Sequence, residues 1–563
     1  MRCIGEKLAK KVFVEYLKTM FPYVKGYSFQ IFLVLLLSSL LAISNLISPT
    51  ISKMLVDRIF AAHDKNLLIK LLILMSLAFV IIATINLLNS YLMARLTAFL
   101  NYRIKMDFFN KLQHTSLVFH MSKKSGEIQY RMFYDTEFMV DYFLKLIINM
   151  PMYTIWVVLI LYLMYKWSPI LMSLVVIVFM FQVILIVRFR EPVKKAVFNK
   201  KNIEQNTVSE INEHFNAIEL IKTLSLEKIA FERVSHNMKN LIDAIVKLVF
   251  IQSMYQTGTS LLNQLWSFGT LWFGANLVFS GKISVGTFMG FYILAGLLYQ
   301  PIVSMTGIVL SCQELKVAYL RFEEYYKSPF VLIEKGGNKP FRFEEILEMR
   351  NVFFAYENNY PVLNNVNLIL KPGCIVALTG KSGSGKSTFA RIVSRLLKPQ
   401  VGEILIDGVN IEEINIEDFR KNVGFLLQNA FIINGTLYEN VTLGNHNYSL
   451  DDVKKVIAEA GLTDLIARDP KGLNMDIGIR GAQISLGEAQ RIALARILLR
   501  KPKIVILDEP TSFLDPETEE IILNSIVKLK QKNSLILVIT HKASTLSIAD
   551  KILRFQNGSI VEI

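Results

Sequence analysis

Cysteine is nearly missing from this chain. Three occur in 563 residues, Cys3, Cys312 and Cys374, and an odd number at such wide spacing fits neither a disulfide framework nor a zinc site. They read as reduced, structural thiols. Charge is thin as well: 19% of residues are Asp, Glu, Lys or Arg, against roughly 25% in soluble domains. Hydrophobic residues make up 52%, and mean hydropathy is +0.39. That balance excludes a wholly soluble protein and puts much of the chain in lipid. Acidic residues number 47 against 62 Lys and Arg, a net charge of +15. In a chain with apolar spans, such an excess belongs to cytoplasmic loops facing anionic membrane lipid. Nucleic acid is therefore not an expected partner.

Glycine and proline are absent from Val193 to Thr257 and from Arg95 to Ser125. These stretches flank apolar runs near the twenty residues a bilayer requires. Six such runs are expected, at about Phe29 to Ile47, Leu67 to Leu88, Leu144 to Tyr165, Pro169 to Val187, Leu261 to Phe279 and Thr287 to Leu310. The third and fourth are separated by little more than Lys166, Trp167 and Ser168, the last two by Ser280, Gly281 and Lys282. The two long intervening segments carry Arg95, Arg103, Lys105, Lys123, Lys124, Arg188, Lys194, Lys195, Lys200 and Lys201, so both face the cytoplasm. With no helix breakers, the helices should project on the order of 30 Å beyond the membrane, the first leg turning at Gly126. Ahead of the first run, Arg2, Lys7, Lys10, Lys11 and Lys18 alternate with Val12, Phe13, Tyr16, Leu17 and Phe21 at helical spacing. This predicts a helix on the membrane surface rather than a cleaved signal, because the span that follows is too long for a signal core.

Pro329, Gly336, Gly337 and Pro340 then break the pattern. The expected organisation is a six-helix membrane domain over 1–328, a linker over 329–346, and an α/β domain over 347–563. In the last part, short β-branched runs such as "CIVALT" and "KIVILD" alternate with amphipathic helices, as buried parallel strands require. The strongest motif is "GKSGSGKST": Gly380, Lys381, Ser382, Gly383, Ser384, Gly385, Lys386, Ser387 and Thr388. It follows a strand and opens a helix, the setting of a phosphate loop. Its glycines let successive N–H groups face phosphates, Lys386 adds a point charge, and Ser387 suits Mg²⁺. Downstream, "KIVILDEP" ends a buried strand on Asp508 and Glu509. Alone, that run reads equally as an acidic helix cap. Beside a phosphate loop, Asp508 suits a Mg²⁺ ligand and Glu509 the base that orients the attacking water.

At this point the chain resembles the ATP-binding cassette (ABC) exporters, specifically their half-transporters, over nearly its whole length. The resemblance implies an α-helical six-span membrane domain followed by an α/β P-loop cassette, with ATP and Mg²⁺ as cofactors. It assigns adenine stacking to Tyr356 in "VFFAY", a Mg²⁺-linking glutamine to Gln428 in "FLLQ", and the switch histidine to His541. The family's signature matches "ISLGEAQR", whose Ser485, Gly487 and Glu488 would act on a partner's ATP, and its dimer-contact loop matches Asp515 in "SFLD". Mg²⁺ would be held by Ser387, Gln428 and Asp508. Coupling helices, which dock on cassettes in the family, match the regions Ser125 to Ile128 and Ala217 to Lys222. Two positions depart from the pattern: Leu486 stands where a signature glycine is usual, and Ile479 where a glutamate is frequent.

One cassette per chain implies a second half-transporter, with a homodimer favoured over a heterodimer. The implied activity is ATP hydrolysis coupled to export of an amphipathic substrate, a peptide favoured; "GTFMGFYILAGLLYQPI" resembles peptide and bacteriocin exporters. The cysteine-protease domain fused to some of these is not expected, because the first span starts almost at once. A lipid flippase or drug exporter, and a non-transporting ATP-gated regulator, are the alternatives. Asn86, Asn89, Gln182, Gln256, Asn263, Gln264 and Asn276 lie in the spans and could equally contact cargo or bond neighbouring helices.

Overall fold

The computed structural model describes residues 2–60, 62–123, 125–327, 336–356, 361–428, 430–445, 447–478, 483–512, 514–556 and 558–563. Ile479 and residues 329–335 of the linker lie outside the described residues. The chain forms two compact units, one of Met1–His114 with His120–Val331, the other of Thr115–Phe119 with Leu332–Ile563.

The first unit is helical. Its helices are α1 (Arg2–Val24), α2 (Ser28–Ser44), α3 (Ile47–Met54), α4 (Lys65–Gln113), α5 (Leu117–Ser122), whose first turn belongs to the second unit, and α6 (Ser125–Tyr130). Then come α7 (Thr136–Leu144), α8 (Met150–Trp167), α9 (Pro169–Asn216), α10 (Ile218–Thr223), α11 (Glu227–Phe279) and α12 (Val285–Lys327). The breaker-free stretches are helical as expected, with interruptions at 114–116 in one and at 217 and 224–226 in the other. α4, α9, α11 and α12 have 49, 48, 53 and 43 residues, well over twice what a bilayer needs. Local chemistry sets their ends. Asp64 caps α4 by accepting from Leu67 N at 3.0 Å, Pro169 opens α9 behind the Ser168 cap, and Gly281 turns between α11 and α12 with φ +71°.

Among the described residues, five helical stretches are long and apolar enough to cross a membrane: Val12–Phe60, Lys65–Gln113, Ser125–Trp167, Pro169–Asn216 and Val285–Tyr325. The remaining expected span lies on α11. That helix has the length, but Gln256, Asn263, Gln264 and Asn276 dilute its apolar run, and it packs along α9. The expected surface helix, α1, has a partner in the bundle. Val12, Tyr16, Met20 and Val24 are buried at four-residue spacing. The Tyr16 hydroxyl donates to Met139 O on α7 at 2.7 Å, and its ring meets Tyr319 of α12 edge-on.

Gly126 is not the turn. It sits buried inside α6, and a Cβ there would come within 2.6 Å of Asn212 Nδ2 on α9. Its role is close helix approach, and the chain reverses earlier, between α4 and α5. Correspondingly, the stretch that groups with the cassette is Thr115–Phe119, where Val118 packs on the cassette core. It lies upstream of the expected Ser125 to Ile128. Another close approach yields a prediction. Gly286 N donates to Asp57 Oδ1 at 2.9 Å, and a Cβ would lie 2.5 Å from the Lys53 carbonyl oxygen. Backbone cannot yield as a side chain can, so Gly286→Ala is expected to cost about 1–3 kcal/mol in thermal unfolding of the detergent-solubilised chain. An unchanged transition would refute this packing.

The second unit holds two sheets. β1 (Leu347–Ala355), β2 (Pro361–Leu370), β4 (Val401–Ile406) and β5 (Val409–Asn410) form an antiparallel sheet in the order β2-β1-β4-β5. The other contains β3 (Ile375–Gly380), β6 (Val423–Leu426), β7 (Ile504–Asp508), β8 (Leu535–Ile539), β9 (Lys551–Gln556) and β10 (Ser559–Glu562) in the order β10-β9-β3-β8-β7-β6. It is parallel apart from the edge strand β10. Ile375 to Leu378, Ile504 to Leu507 and Leu535 to Ile539 are all 1% exposed or less, as strands covered on both faces must be. Pairing of Leu378 and Asp508 with Ile539 brings the carboxyl ends of β3, β7 and β8 to one edge, the place where open α/β sheets bind ligands.

Candidate ATP-binding and hydrolysis site

The phosphate loop leaves β3 at Gly380 (φ +144°), turns at Gly383 (φ +78°), and enters α13 (Lys386–Val393) from Gly385 (φ +103°). Only glycine takes these conformations without strain. Space agrees, since a Cβ on Gly385 would stand 2.8 Å from the Val362 carbonyl oxygen. Lys386 folds back over the loop, its Nζ donating to Gly380 O at 2.6 Å and Lys381 O at 3.0 Å. Burial lowers its pKa, with the charges of Asp508 and Glu509 pulling the other way. Ser384 Oγ is buried with no hydrogen-bond partner among the described residues. An orphaned hydroxyl in a glycine cradle at a helix start fits a phosphate. Thr388 is buried, and its Oγ1 meets the Tyr356 hydroxyl at 3.2 Å. Tyr356 packs edge-on to Phe354, 5.1 Å between ring centres. Lys381 and Ser382 are exposed.

Opposite the loop, Ser387 Oγ donates to Asp508 Oδ2 at 3.3 Å. Burial raises the Asp508 pKa; the Ser387 hydrogen bond opposes this and the Glu509 charge adds to it. A hydroxyl beside a buried carboxylate whose charge is poorly solvated is a hard-oxygen donor set that fits Mg²⁺. Asp508→Asn is therefore expected to stabilise the nucleotide-free cassette, raising its melting temperature by roughly 2–4 °C, the shift of about 1 kcal/mol in a domain of this size, while Mg²⁺-dependent hydrolysis is lost. A lower melting temperature would show the ionised carboxylate to be stabilising instead.

Glu509 is the strained residue of the site. Its φ is +51°, a left-handed conformation that costs a non-glycine residue about 1–2 kcal/mol. Three bonds hold it there: Glu509 N donates to Ile539 O at 2.9 Å, and its carbonyl accepts from Gln490 Nε2 at 2.6 Å and Ser512 Oγ at 2.8 Å. Gln428 Nε2 donates to Glu509 Oε2 at 3.0 Å. His541 is exposed two residues beyond the end of β8, beside β7. Gln490 and Ser512 were not singled out by the motifs. Gln490 is 2% exposed within "ISLGEAQR", so its only sequence signal was a polar residue in the run that follows Ser485.

Ser485 caps the helix Leu486–Arg500 in a capping box with Glu488: Glu488 N donates to Ser485 Oγ at 3.2 Å, and Ser485 N to Glu488 Oε2 at 2.7 Å. Burial works against the Glu488 charge, but Ser485 and the Arg468 guanidinium at 2.7 Å outweigh it and lower the pKa. Gly487 is buried, whereas Leu486 is 70% exposed. Asp515 caps the helix Pro516–Gln531, accepting from Thr518 N at 2.9 Å and Thr518 Oγ1 at 2.8 Å. These interactions lower its pKa. Ser485, Glu488 and Asp515 thus have structural duties within this chain.

Comparison with known proteins accounts for both units. Residues 31–302 match the ABC transporter transmembrane region and residues 363–512 the ABC transporter cassette. The chain belongs to the ABC transporter family. It is similar to the alpha-hemolysin translocation ATP-binding protein HlyB of Escherichia coli, 33% identical over 62% of this chain and 49% of that protein. Similarity to the leukotoxin export ATP-binding protein LtxB of Aggregatibacter actinomycetemcomitans is 32% over the same shares. The chain therefore spans about half the length of these relatives. Its fold matches the structure of a bacterial Atm1-family ABC exporter with ATP bound, with TM-score 0.84 over 96% of this chain and 94% of that one, at 22% identity. The chain thus joins the two parts of an ABC transporter, a multi-pass membrane part and a cassette.

Proposed function

We propose that this chain is one half of an ATP-driven exporter that moves an amphipathic substrate, a peptide favoured, out of the cytoplasm by alternating access. The observation that carries the reading is Glu509, held in a strained conformation with its carboxylate beside Gln428 and next to the Ser387–Asp508 pair. Strain kept at one carboxylate, at the sheet edge where the phosphate loop opens, suits a group aimed at a reacting water. Tyr356 stacks on adenine, and the loop from Gly380 to Thr388 holds the phosphates. Ser387, Gln428 and Asp508 hold Mg²⁺, which would neutralise phosphate charge when bound. Glu509 orients the attacking water, and His541 meets the γ-phosphate.

The ATP site of one cassette is covered by Ser485, Gly487 and Glu488 of a second half-transporter, with Asp515 at the contact and a homodimer favoured. Exposed Phe215, Ile218, Leu220 and Leu224 around α10 suit docking on the partner's cassette, because an apolar tip outside the bilayer needs cover. Closure of the cassettes on ATP then moves the long helices and turns the cavity outward. The chain sits in the cell membrane with its N-terminus and cassette in the cytoplasm. The names of its relatives, which speak of alpha-hemolysin translocation and leukotoxin export, support a peptide cargo. Inside-out vesicles holding the chain are expected to accumulate a labelled amphipathic peptide only when ATP is supplied. Uptake indifferent to ATP, or lipid movement without peptide uptake, would sink the peptide-export reading.

A further inference from the structure

Between α9, α11 and α12 the membrane unit lines a half-open cavity of about 520 Å³, within the few-hundred to 1,000 Å³ range of small-molecule sites. Its walls divide by chemistry. Val193, Val197, Tyr255, Val303, Leu310 and Val317 supply apolar surface, while the charged lining residues are Lys194, Lys195, Lys201 and Lys316 with a single carboxylate, Glu314. Lys201 is committed, with Nζ 3.0 Å from Glu314 and 4.8 Å from the centre of the Phe138 ring. Lys194 reaches Glu191 only at 3.7 Å. Lys195 and Lys316 make no ion pair among the described residues. Two positive charges at the pocket are thus left without an ion pair. It begins just past Val187, where the apolar run of α9 gives way to Arg188, Arg190 and the lysines, which is the level of the cytoplasmic headgroups.

Lysines on a cytoplasmic flank are ordinary in themselves. Two lysines without an ion pair, Lys195 and Lys316, beside an apolar pocket built by three helices are not, because like charges held next to an apolar wall repel and are relieved by a counter-charge. A neutral or cationic amphipath would leave that repulsion in place. We propose that this cavity binds an anionic amphipath, a molecule with a phosphate or carboxylate head and an apolar tail, and that this is the chemistry of the cargo. The ammonium groups of Lys195 and Lys316 take the head, and the valines with Leu310 take the tail. The inference deepens the exporter reading and rests on it for the identification of the ligand as cargo.

The test uses the full chain in nanodiscs of zwitterionic lipid, photolabelled with dodecyl phosphate bearing a diazirine at its tail. A dodecyltrimethylammonium probe with the same tail serves as control. Label on 193–201 and 303–320 is expected to be at least about tenfold stronger from the anionic probe, equivalent to roughly 1.4 kcal/mol. The preference should be lost in the Lys195→Glu/Lys316→Glu variant and kept in Lys195→Arg/Lys316→Arg, which guards against misfolding. Equal labelling by both probes, or a preference untouched by charge reversal, overturns the proposal. Labelling by a diazirine phosphatidylglycerol in the disc that excess dodecyl phosphate does not displace assigns the site to a resident lipid and overturns the cargo claim. Labelling needs no ATP. A cavity that fails in a chain whose ATPase depends on Glu509 leaves the exporter standing, and the converse result removes the exporter alone.

Discussion

Glu509→Gln is expected to slow ATP hydrolysis by about 10²- to 10⁴-fold, the usual worth of a positioned general base, while ATP still binds. The expectation follows from how the residue is held. Its φ of +51° is fixed by bonds from Gln490 and Ser512 to its carbonyl and from its own N–H to Ile539, and none of these involves the side chain. Glutamine is nearly isosteric, so the backbone, Gln428 and the phosphate loop should stay in place. What disappears is the ability to accept a proton. The variant should therefore hold ATP with unchanged affinity and accumulate in the ATP-bound state, seen as labelled ATP retained on the purified chain while phosphate release stops. A variant that releases phosphate as fast as the parent would remove Glu509 from the chemistry and favour a non-hydrolytic, gating role for ATP.

Lys386→Ala acts on binding instead. Without nucleotide, the Lys386 ammonium is satisfied by the carbonyls of Gly380 and Lys381 at 2.6 and 3.0 Å, which pins the glycine loop over the start of α13. Bound phosphate would exchange those neutral acceptors for charged ones, and a hydrogen bond to a charged group is worth about 1.5–3 kcal/mol. Affinity for ATP should fall about 10- to 150-fold, measured by equilibrium binding of a fluorescent ATP analogue in chelator so that Mg²⁺ sites do not contribute. Arginine should not rescue it, since a planar guanidinium cannot occupy the compact position of the ammonium. Affinity within about twofold of the parent, in protein that melts normally, would show that the loop glycines alone hold the nucleotide.

Several elements were legible because a local rule with a single outcome governed them. Apolar runs of bilayer length gave continuous helices through α4, α9 and α12, although Pro192 lies inside α9 and Pro301 inside α12. Pro169 after Ser168 started α9, and Gly281 turned the chain before α12. Strand, glycines and Lys386 followed one another as phosphate binding demands. Gly126 misled because glycine has two uses, turning a chain and admitting a neighbour. Only the position of Asn212, on a helix far along the sequence, shows which applies. The antiparallel sheet of β1, β2, β4 and β5 was likewise not foreseen, because a strand's partner and direction are set by long-range pairing.

The sequence by itself determined that this protein lies partly in membrane, carries a phosphate loop, and places Asp508 and Glu509 at a strand end, since hydropathy, glycine freedom and residue chemistry are local properties. Only the tertiary structure decided that Glu509 is strained and pinned by Gln490, that Ser485 and Asp515 are helix caps in their own chain, and that four lysines from α9 and α12 line one cavity. Each of these depends on which distant residues meet, and burial, strain and uncompensated charge arise only where the chain has folded back on itself.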